Sequence, residues 1–460
     1  MEAIMKWNGI INGIVWGPWM LTLLVGTGIW FTFILGFPQL RFFGITFKEV
    51  LGKITAKKQG EGTVSSFAAM ATALAATVGT GNIAGVATAL HLGGPGALFW
   101  MLFSAFFGMT TKFVEVMLAV RYREKDADGN FRGGTMYVLE HGCGMKWLAV
   151  IFALFALLAS FGIGNAVQSN STAEAISMGF GVPHVYTAAI VAVLTGLVIW
   201  GGLTRIATIT VYLVPFMAIL YILGAGTVVF NNASQIWPAI ANAVEGAFGN
   251  PMALPGALAG WGVKEAITRG IARGVFSNEA GLGSAPMVHA AAQVDHPVRQ
   301  GLYGIFEVFM DTIVICSLTA LSILTTGMLT SEVGSKLTGS QLSMMAFQSI
   351  LGSGGTVVFS ISLALFAFST ILGWYYYGET ALTYLFSAKT VPVFKTVWIV
   401  VVFLGGYGGA AWLNSLWDLA DTLNGLMAIP NLLGLLLMTK EVRRLVQDFV
   451  DKRRSGELKI

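Results

Sequence analysis

Charge is what this chain most lacks. Asp, Glu, Lys and Arg make up 11 % of its 460 residues, against roughly 25 % in an ordinary soluble domain. So few charges could not cover a soluble surface, which excludes a soluble enzyme, a nucleic-acid binder and a disordered protein. Cysteine is nearly absent too. Cys143 and Cys316 stand in unrelated contexts, so they read as small apolar residues and not as a disulfide framework. The histidines are His91, His141, His184, His289 and His296, and no two share metal-ligand spacing on a helix. Without an HExxH, a Walker A motif or a nucleophile elbow, a membrane-embedded enzyme and primary active transport have no machinery. What is present is a hydrophobic content of 55 % with 57 glycines and a mean hydropathy of +0.73. That is the composition of an all-α polytopic membrane protein whose helices pack closely or break.

A helix crossing the hydrocarbon needs about 20 apolar residues. Continuous runs of that kind predict eleven spans, at 14–37, 64–90, 94–120, 147–179, 183–201, 207–230, 262–291, 299–327, 355–386, 392–412 and 417–438. The first is too long for a signal-peptide core and has no A-x-A site after it, so it reads as a retained helix. Basic residues test the count. Arg41, Lys48, Lys53, Lys57 and Lys58 follow the first span; Arg121, Arg123, Lys125, Arg132 and Lys146 follow the third; Arg205, Arg299 and Lys389 lie in later loops of the same side. The tail from Lys440 to Lys459 falls there as well. By the positive-inside rule the N-terminus is outside and the C-terminus cytoplasmic. The tail has Val442, Leu445, Val446, Phe449 and Val450 at helical spacing, which suits an amphipathic helix on the membrane surface or a solvated one. Residues 234–255, with Pro238, Pro251 and Pro255, suggest an extracellular lid or interfacial helix.

Two spans carry glycine where a stable helix should not. One reads Ala75-Ala76-Thr77-Val78-Gly79-Thr80-Gly81-Asn82, the other Phe276-Ser277-Asn278-Glu279-Ala280-Gly281-Leu282-Gly283-Ser284. Each opens a block of five spans. An odd number per block forces opposite topology, and broken helices at matching places point to a transporter binding site at mid-membrane depth. Half-helix N-termini favour a carboxylate, and freed carbonyls favour a cation. The predicted organisation is an extra N-terminal helix and loop (1–63), a first repeat (64–230), an outer loop (231–261), an inverted second repeat (262–438) and the tail (439–460).

At these residues the chain resembles the alanine or glycine:cation symporters, also called sodium:alanine symporters. Gly93-Gly94-Pro95-Gly96-Ala97-Leu98-Phe99-Trp100-Met101 looks like that family's signature, as does Phe276 through Pro286. Leu102 departs from the pattern, where a second tryptophan is expected. The resemblance covers nearly the whole chain. It implies a leucine-transporter-type fold, in which the span count reads as a 5+5 inverted repeat plus one added helix, and cotransport of alanine or glycine with sodium; a single chain with short loops and no evident targeting extension suggests a prokaryotic plasma membrane. No cofactor is implied beyond the co-transported sodium. In the wider superfamily the first core helix reads Val-Gly-x-Gly-Asn, matched here by Val78 to Asn82. The match implies that N–H groups at Thr80 and Gly81 bind the substrate carboxylate. It also implies that carbonyls of Ala75 and Val78 bind sodium together with Ser369, Thr370 and the Phe366 carbonyl.

Trp374 lies one turn beyond Thr370 on the same helical face, and Phe276 opens the second break. Two such aromatics would leave a cavity that fits glycine or alanine and excludes leucine. Polar amides at mid-membrane depth are costly unless paired, so Gln168 and Asn165 either bind substrate or tie helices together, with Gln168 preferred as a ligand. Asn278 would bond the substrate or cap a half-helix. Thr77 and Asn82 offer a second cation site. Among ionisable residues inside spans, Lys112 and Glu115 have pairing distance in sequence, and Arg269 and Arg273 suit an outer gate with Asp418 or Asp421. Glu279 is placed to brace the second break; it is also the acid that a proton-coupled carrier of this architecture would use. A channel satisfies the hydropathy but not the paired breaks.

Overall fold

The computed structural model describes residues 2–52, 60–127, 129–249, 262–408 and 410–458. It is helical apart from short strand pairs, and glycine, proline and membrane-length apolar runs determine where the helices stop. Gly17 and Pro18 divide the first span into α1 (Glu2–Val15) and α2 (Pro18–Ile34), because Pro18 has no N–H to continue the ladder. Then come α3 (Phe43–Gly52), α4 (Ser66–Thr77), α5 (Ala84–Gly93) and α6 (Gly96–Arg121). Helix α7 (Lys146–Phe161) passes through a π-helical turn at Gly162–Ala166 into α8 (Val167–Phe180). The first half closes with α9 (His184–Ile199) and α10 (Gly202–Asn231).

Helix α11 (Ile236–Ala247) lies where the outer lid or interfacial helix is predicted. It packs onto α6: Trp100 Nε1 donates to the Ala247 carbonyl at 3.1 Å. The rest of that segment, 250–261, lies outside the described residues. The second half runs through α12 (Val263–Asn278), the short α13 (Pro286–His289) and α14 (Pro297–Val308). A π-helical stretch at Phe309–Cys316 leads into α15 (Ser317–Thr325). Then follow α16 (Gly339–Leu385), α17 (Val391–Tyr407), α18 (Ala410–Leu437) and α19 (Thr439–Arg454). Helix α16 is two helices joined at Gly352, whose φ of 58° no other residue type adopts cheaply.

Among the described residues, eight helices are long and apolar enough to cross a membrane, and the pair α4–α5, bent by 60°, makes nine as one broken span. Two of the eleven predicted spans fall short by this measure. Helix α9 has 16 residues, and α12 stops at Glu279 and carries Lys264, Glu265, Arg269 and Arg273.

At the basic end of the bundle, Val64–Ser65 pairs in parallel with Ala292–Gln293. Arg123 fastens the same place, its guanidinium donating to the carbonyls of Glu61, Ala290 and Ala292 at 2.7, 3.1 and 2.5 Å. The tail helix α19 is amphipathic as predicted, but its apolar face is buried against protein. Phe449 meets Phe42 edge-on at 6.1 Å, and Val442 and Phe449 are wholly buried. Cys143 and Cys316 are free thiols.

Candidate functional site

The first break is built from α4, the turn at 78–83 and α5. Val78 takes an extended ψ of 97° and Gly79 an extended conformation at φ −141°, ψ −151°, so the ladder ends at Thr77. Asn82 braces the turn by accepting from the Gly79 N–H at 2.9 Å. A Cβ on Gly79 would stand 2.5 Å from Thr370 Oγ1, so the break can approach α16 only without a side chain there.

That approach assembles the oxygens expected to hold sodium. Ser369 Oγ is 3.1 Å from the Ala75 carbonyl and 2.8 Å from that of Phe366. Thr370 Oγ1 is 3.3 Å from the Val78 carbonyl and 3.0 Å from the same Phe366 carbonyl. Five oxygens from two helices thus form one buried cluster. Back-bonding to Phe366 occurs, as hydroxyls in membrane helices do, but each hydroxyl also reaches across to α4. An all-oxygen, carboxylate-free set suits a hard monovalent cation; among the described residues no group of three His, Cys, Asp or Glu side chains is placed to hold a metal ion.

Four of the predicted substrate residues meet at the break beside this cluster. Gln168 Oε1 accepts from the Thr80 N–H at 3.4 Å, while its Nε2 donates to the Ile163 carbonyl at 2.9 Å. That carbonyl lies in the π-helical turn of 162–166, where the ladder widens, and such turns recur at functional sites. The Phe276 ring lies over Gly81, where an added Cβ would be 3.2 Å from the ring edge. Thr80 Oγ1 is buried without a partner, an orphan of the kind a polar ligand would satisfy. All of these residues are shielded from bulk water. A separate cavity of about 230 Å³ beside α4 is lined by apolar side chains, including Leu74, Val78 and Phe306. It offers an amino-acid zwitterion nothing to bond.

The remaining predicted residues sit differently. Trp374 is buried, but it packs against the backbone of Gly164 in the π-helical turn and edge-on to Tyr377 at 5.4 Å. It backs the wall that carries Gln168. Asn278 caps α12: its Oδ1 accepts from the Ala280 N–H at 2.9 Å and its Nδ2 donates to Thr312 Oγ1 at 3.0 Å. Asn165 ties helices together by donating to the Trp398 carbonyl at 3.0 Å. Thr77 bonds back to the Ala73 carbonyl at 2.7 Å, and Asn82 accepts from the Gly79 N–H and donates to Asp311. Asp421 accepts from Asn12 at 3.2 Å, and the Arg273 guanidinium lies 5.2 Å over the Phe276 ring; the outer-gate ion pairs are not formed among the described residues.

The second break shows what sequence reasoning missed. Glu279 has φ 57°, Gly281 φ 94° and Gly283 φ 80°. The N–H groups of Gly281 and Gly283 donate to Glu115 Oε1, both at 3.1 Å, and Asn431 Nδ2 adds a third bond at 2.5 Å. The freed Asn278 carbonyl accepts from Lys112 Nζ at 3.0 Å. The two residues expected to pair with each other are instead divided between the two poles of the break, carboxylate to N–H and ammonium to C=O, as the helix dipole favours. Lys112 finds its ion partner in Glu307 at 3.8 Å. Glu279, expected to brace these N–H groups, accepts from Ser284 Oγ at 2.6 Å. No local signal names Glu115, because its partners lie 166 and 168 residues along the chain.

A bundle with two such breaks is the architecture of a secondary transporter. It is similar to the crystal structure of a manganese transporter from Eremococcus coleocola, with a TM-score of 0.50 at 12 % identity over 84 % of this chain and 83 % of that one; the shared fold is the leucine-transporter type. The sodium:alanine symporter family profile matches residues 1–460, and the chain belongs to that family. It is 46 % identical over 450 residues, 97 % of each chain, to the sodium/alanine symporter AgcS of Methanococcus maripaludis. To the probable sodium/glutamine symporter GlnT of Bacillus subtilis it is 38 % identical, over 98 % of this chain and 91 % of that one. To the amino-acid carrier protein AlsT of the same organism it is 37 % identical, over 98 % and 93 %. The protein is therefore a membrane transporter and not an enzyme, and sodium is its co-transported ion.

Proposed function

We propose that the protein imports alanine or glycine together with sodium by alternating access around the first break. The observation that carries this reading is the convergence of the Ala75, Val78 and Phe366 carbonyls with the Ser369 and Thr370 hydroxyls in one buried cluster. In this reading sodium sits among those oxygens, and the substrate carboxylate lies against the Thr80 and Gly81 N–H groups. Gln168 and Phe276 bound the side-chain space, Asn278 holds the second break in shape, and Trp374 supports the wall behind Gln168. The Phe276 ring on Gly81 argues for a small substrate; the glutamine in the name of one relative makes substrate size the property to measure. Eleven spans in a 5+5 inverted repeat plus one helix, with the N-terminus outside and the basic end in the cytoplasm of a prokaryote, agree with the distribution of Lys and Arg.

The test is uptake of radiolabelled L-alanine into proteoliposomes under an imposed sodium gradient, compared with a proton gradient of equal size. Sodium-driven uptake, competed by glycine but not by leucine, is the expected result. Proton-driven uptake would transfer coupling to an acid such as Glu279 and remove the assignment of Ser369 and Thr370. That alternative has one external support, a relative 37 % identical named as a putative sodium/proton-dependent alanine carrier.

A further inference from the structure

The apolar cavity beside α4 serves neither sodium nor substrate. It lies between α3, α4, α10 and α14, has a volume of about 230 Å³, and every side chain lining it is apolar. Protein interiors hold few voids larger than a water molecule. The small side chains of Ala71 and Ala218 and the ring of Pro215, a proline inside α10, leave this one unfilled. Water would find no hydrogen-bond partner in it. The cavity is not sealed. Leu51 and Ile219 on its rim are 57 % and 58 % exposed, so in a membrane it opens to hydrocarbon.

Its length matches one acyl chain. From Phe67 to Val78 it follows α4, about 16 Å at 1.5 Å per residue, and half of the hydrocarbon core is about 15 Å thick. The Phe67 end lies toward the basic end of the bundle, where α3 contributes Val50 and Leu51. Phe47 fixes α3 to its neighbours, its ring 5.3 Å from Phe306 and 5.5 Å from Phe309, and Glu49 pairs with Arg299 at 3.2 Å. Lys48 precedes Leu51 by one turn of α3 and so shares its face. It is exposed, and neither a hydrogen bond nor an ion pair engages it among the described residues. An unpaired ammonium at the mouth of an apolar slot one leaflet deep is the complement of an anionic phospholipid. At the inner end the slot meets Val78, whose carbonyl faces Thr370. The stripe of α4 that lines it lies opposite Ala76, which packs against Gly373 of α16.

We propose that this slot binds one anionic phospholipid, with an acyl chain between α4, α10 and α14 and the headgroup phosphate on Lys48. The chain backs the half-helix α4 on the side away from α16 and holds the Ala75 and Val78 carbonyls toward Ser369 and Thr370. Binding of the lipid is independent of the transport reading given above; its effect on sodium rests on that reading.

The experiment is native mass spectrometry of the purified protein with two lipids of identical chains, phosphatidylglycerol and phosphatidylcholine. The protein should retain one phosphatidylglycerol more tightly than phosphatidylcholine. Lys48→Gln should weaken that retention about fivefold, the contribution of one basic residue at an anionic headgroup. Ala218→Phe fills the slot from α10, and Ile219→Trp covers its exposed rim, so the test does not hang on the folding of one variant. Both should lose the retained lipid, whereas Leu197→Trp, at a site 58 % exposed on α9, should keep it. In vesicles, the sodium concentration for half-maximal alanine uptake should be about fivefold lower with phosphatidylglycerol present than with phosphatidylcholine alone, at the low end of coupling between sites. Ala218→Phe should show no such difference. Equal retention of the two lipids overturns the proposal, as does phosphatidylglycerol held by Ala218→Phe and Ile219→Trp as tightly as by the parent. Sodium half-saturation indifferent to vesicle composition overturns the role behind α4. Uptake that needs no sodium would remove the transport reading instead, and retention, which does not use it, would still decide the lipid site.

Discussion

Ser369→Ala is the sharpest test of the oxygen cluster. Ser369 Oγ is wholly buried and reaches two carbonyls, Ala75 at 3.1 Å and Phe366 at 2.8 Å. The substitution deletes one of five oxygens and adds no bulk. An interaction with a charged partner contributes about 1.5–3 kcal/mol and a neutral hydrogen bond about 1 kcal/mol. The hydroxyl serves neighbouring carbonyls when no cation is bound and serves the cation when one is. The change in sodium affinity is the difference, about 1 kcal/mol, or roughly fivefold in the sodium concentration for half-maximal uptake. Thr370→Val, which keeps the branched shape and removes the second hydroxyl, should give a shift of the same size. The alanine concentration for half-maximal uptake at saturating sodium should stay near that of the parent, because Ser369 does not touch Thr80 or Gly81. The assay is initial-rate uptake of radiolabelled alanine against sodium at fixed membrane potential. Unchanged sodium half-saturation in both variants would refute the assignment, as would a shift confined to alanine.

Gly79→Ala places a Cβ 2.5 Å from Thr370 Oγ1 and 3.3 Å from Gln168 Oε1; overpacking of about 1–3 kcal/mol should abolish sodium-driven uptake while leaving expressed protein, read by uptake against protein yield. Glu115→Ala leaves the N–H groups of Gly281 and Gly283 without an acceptor and takes one of two acceptors from the Asn431 amide, at about 1–3 kcal/mol for each N–H left unpaired. Its melting temperature should fall well below that of Glu115→Gln, which retains one oxygen, and equal values would contradict the bracing role. Docking of α19 should loosen in acid. Burial lowers the pKa of His296, and its 3.0 Å hydrogen bond to Asp448 lowers that of the carboxylate, with Lys452 adding to the effect. A depressed His296 favours the docked state above its unfolded pKa of about 6.5 and loses that contribution as pH falls through it. A depressed Asp448 loses its own contribution below about pH 4. Limited proteolysis within 439–454 should therefore quicken stepwise from neutral pH downward, and a rate independent of pH would remove the pair from the docking.

The two breaks were legible because glycine and small polar residues interrupt otherwise membrane-length apolar runs, and local spacing is enough to see that. The cluster of Ala75, Val78, Phe366, Ser369 and Thr370 was expected only through the resemblance. Its two motifs lie some 290 residues apart, and local spacing alone does not bring them together. What occupies the second break was hidden. Lys112 and Glu115 sit three apart on one helix and look like each other's partners, yet they serve opposite poles of a break that enters the chain more than 160 residues later. The packing of Trp374 was hidden for a related reason. Its position one turn from Thr370 follows from helical spacing, but the gap at Gly164 of the π-helical turn into which it packs lies on another helix. The same rule read α19 as a surface helix, since an apolar stripe does not say whether lipid or protein covers it. Together these residues divide the labour unequally. The second break has its poles filled by Lys112 and Glu115, and the first presents its poles to Ser369, Thr370 and Phe276.

The first and last helices of the bundle are held to each other. Asn12 donates to Asp421 and Thr422 at 3.2 and 3.0 Å, Trp16 Nε1 donates to the Asp421 carbonyl at 3.1 Å, and Trp30 Nε1 reaches Thr439 Oγ1 at 3.3 Å, across as many as 410 residues. During synthesis at roughly 5–20 residues per second, about 20–80 s separate the emergence of these partners from the ribosome. For that time Asn12 and Trp16 have only lipid, water at the interface and whatever assists insertion to satisfy them. Late completion of this seam makes the amino-terminal helix the part of the protein most open to capture by membrane chaperones or proteases. Substitutions at Asn12 or Asp421 should lower the amount of protein that accumulates in the membrane more than the turnover of each molecule that does.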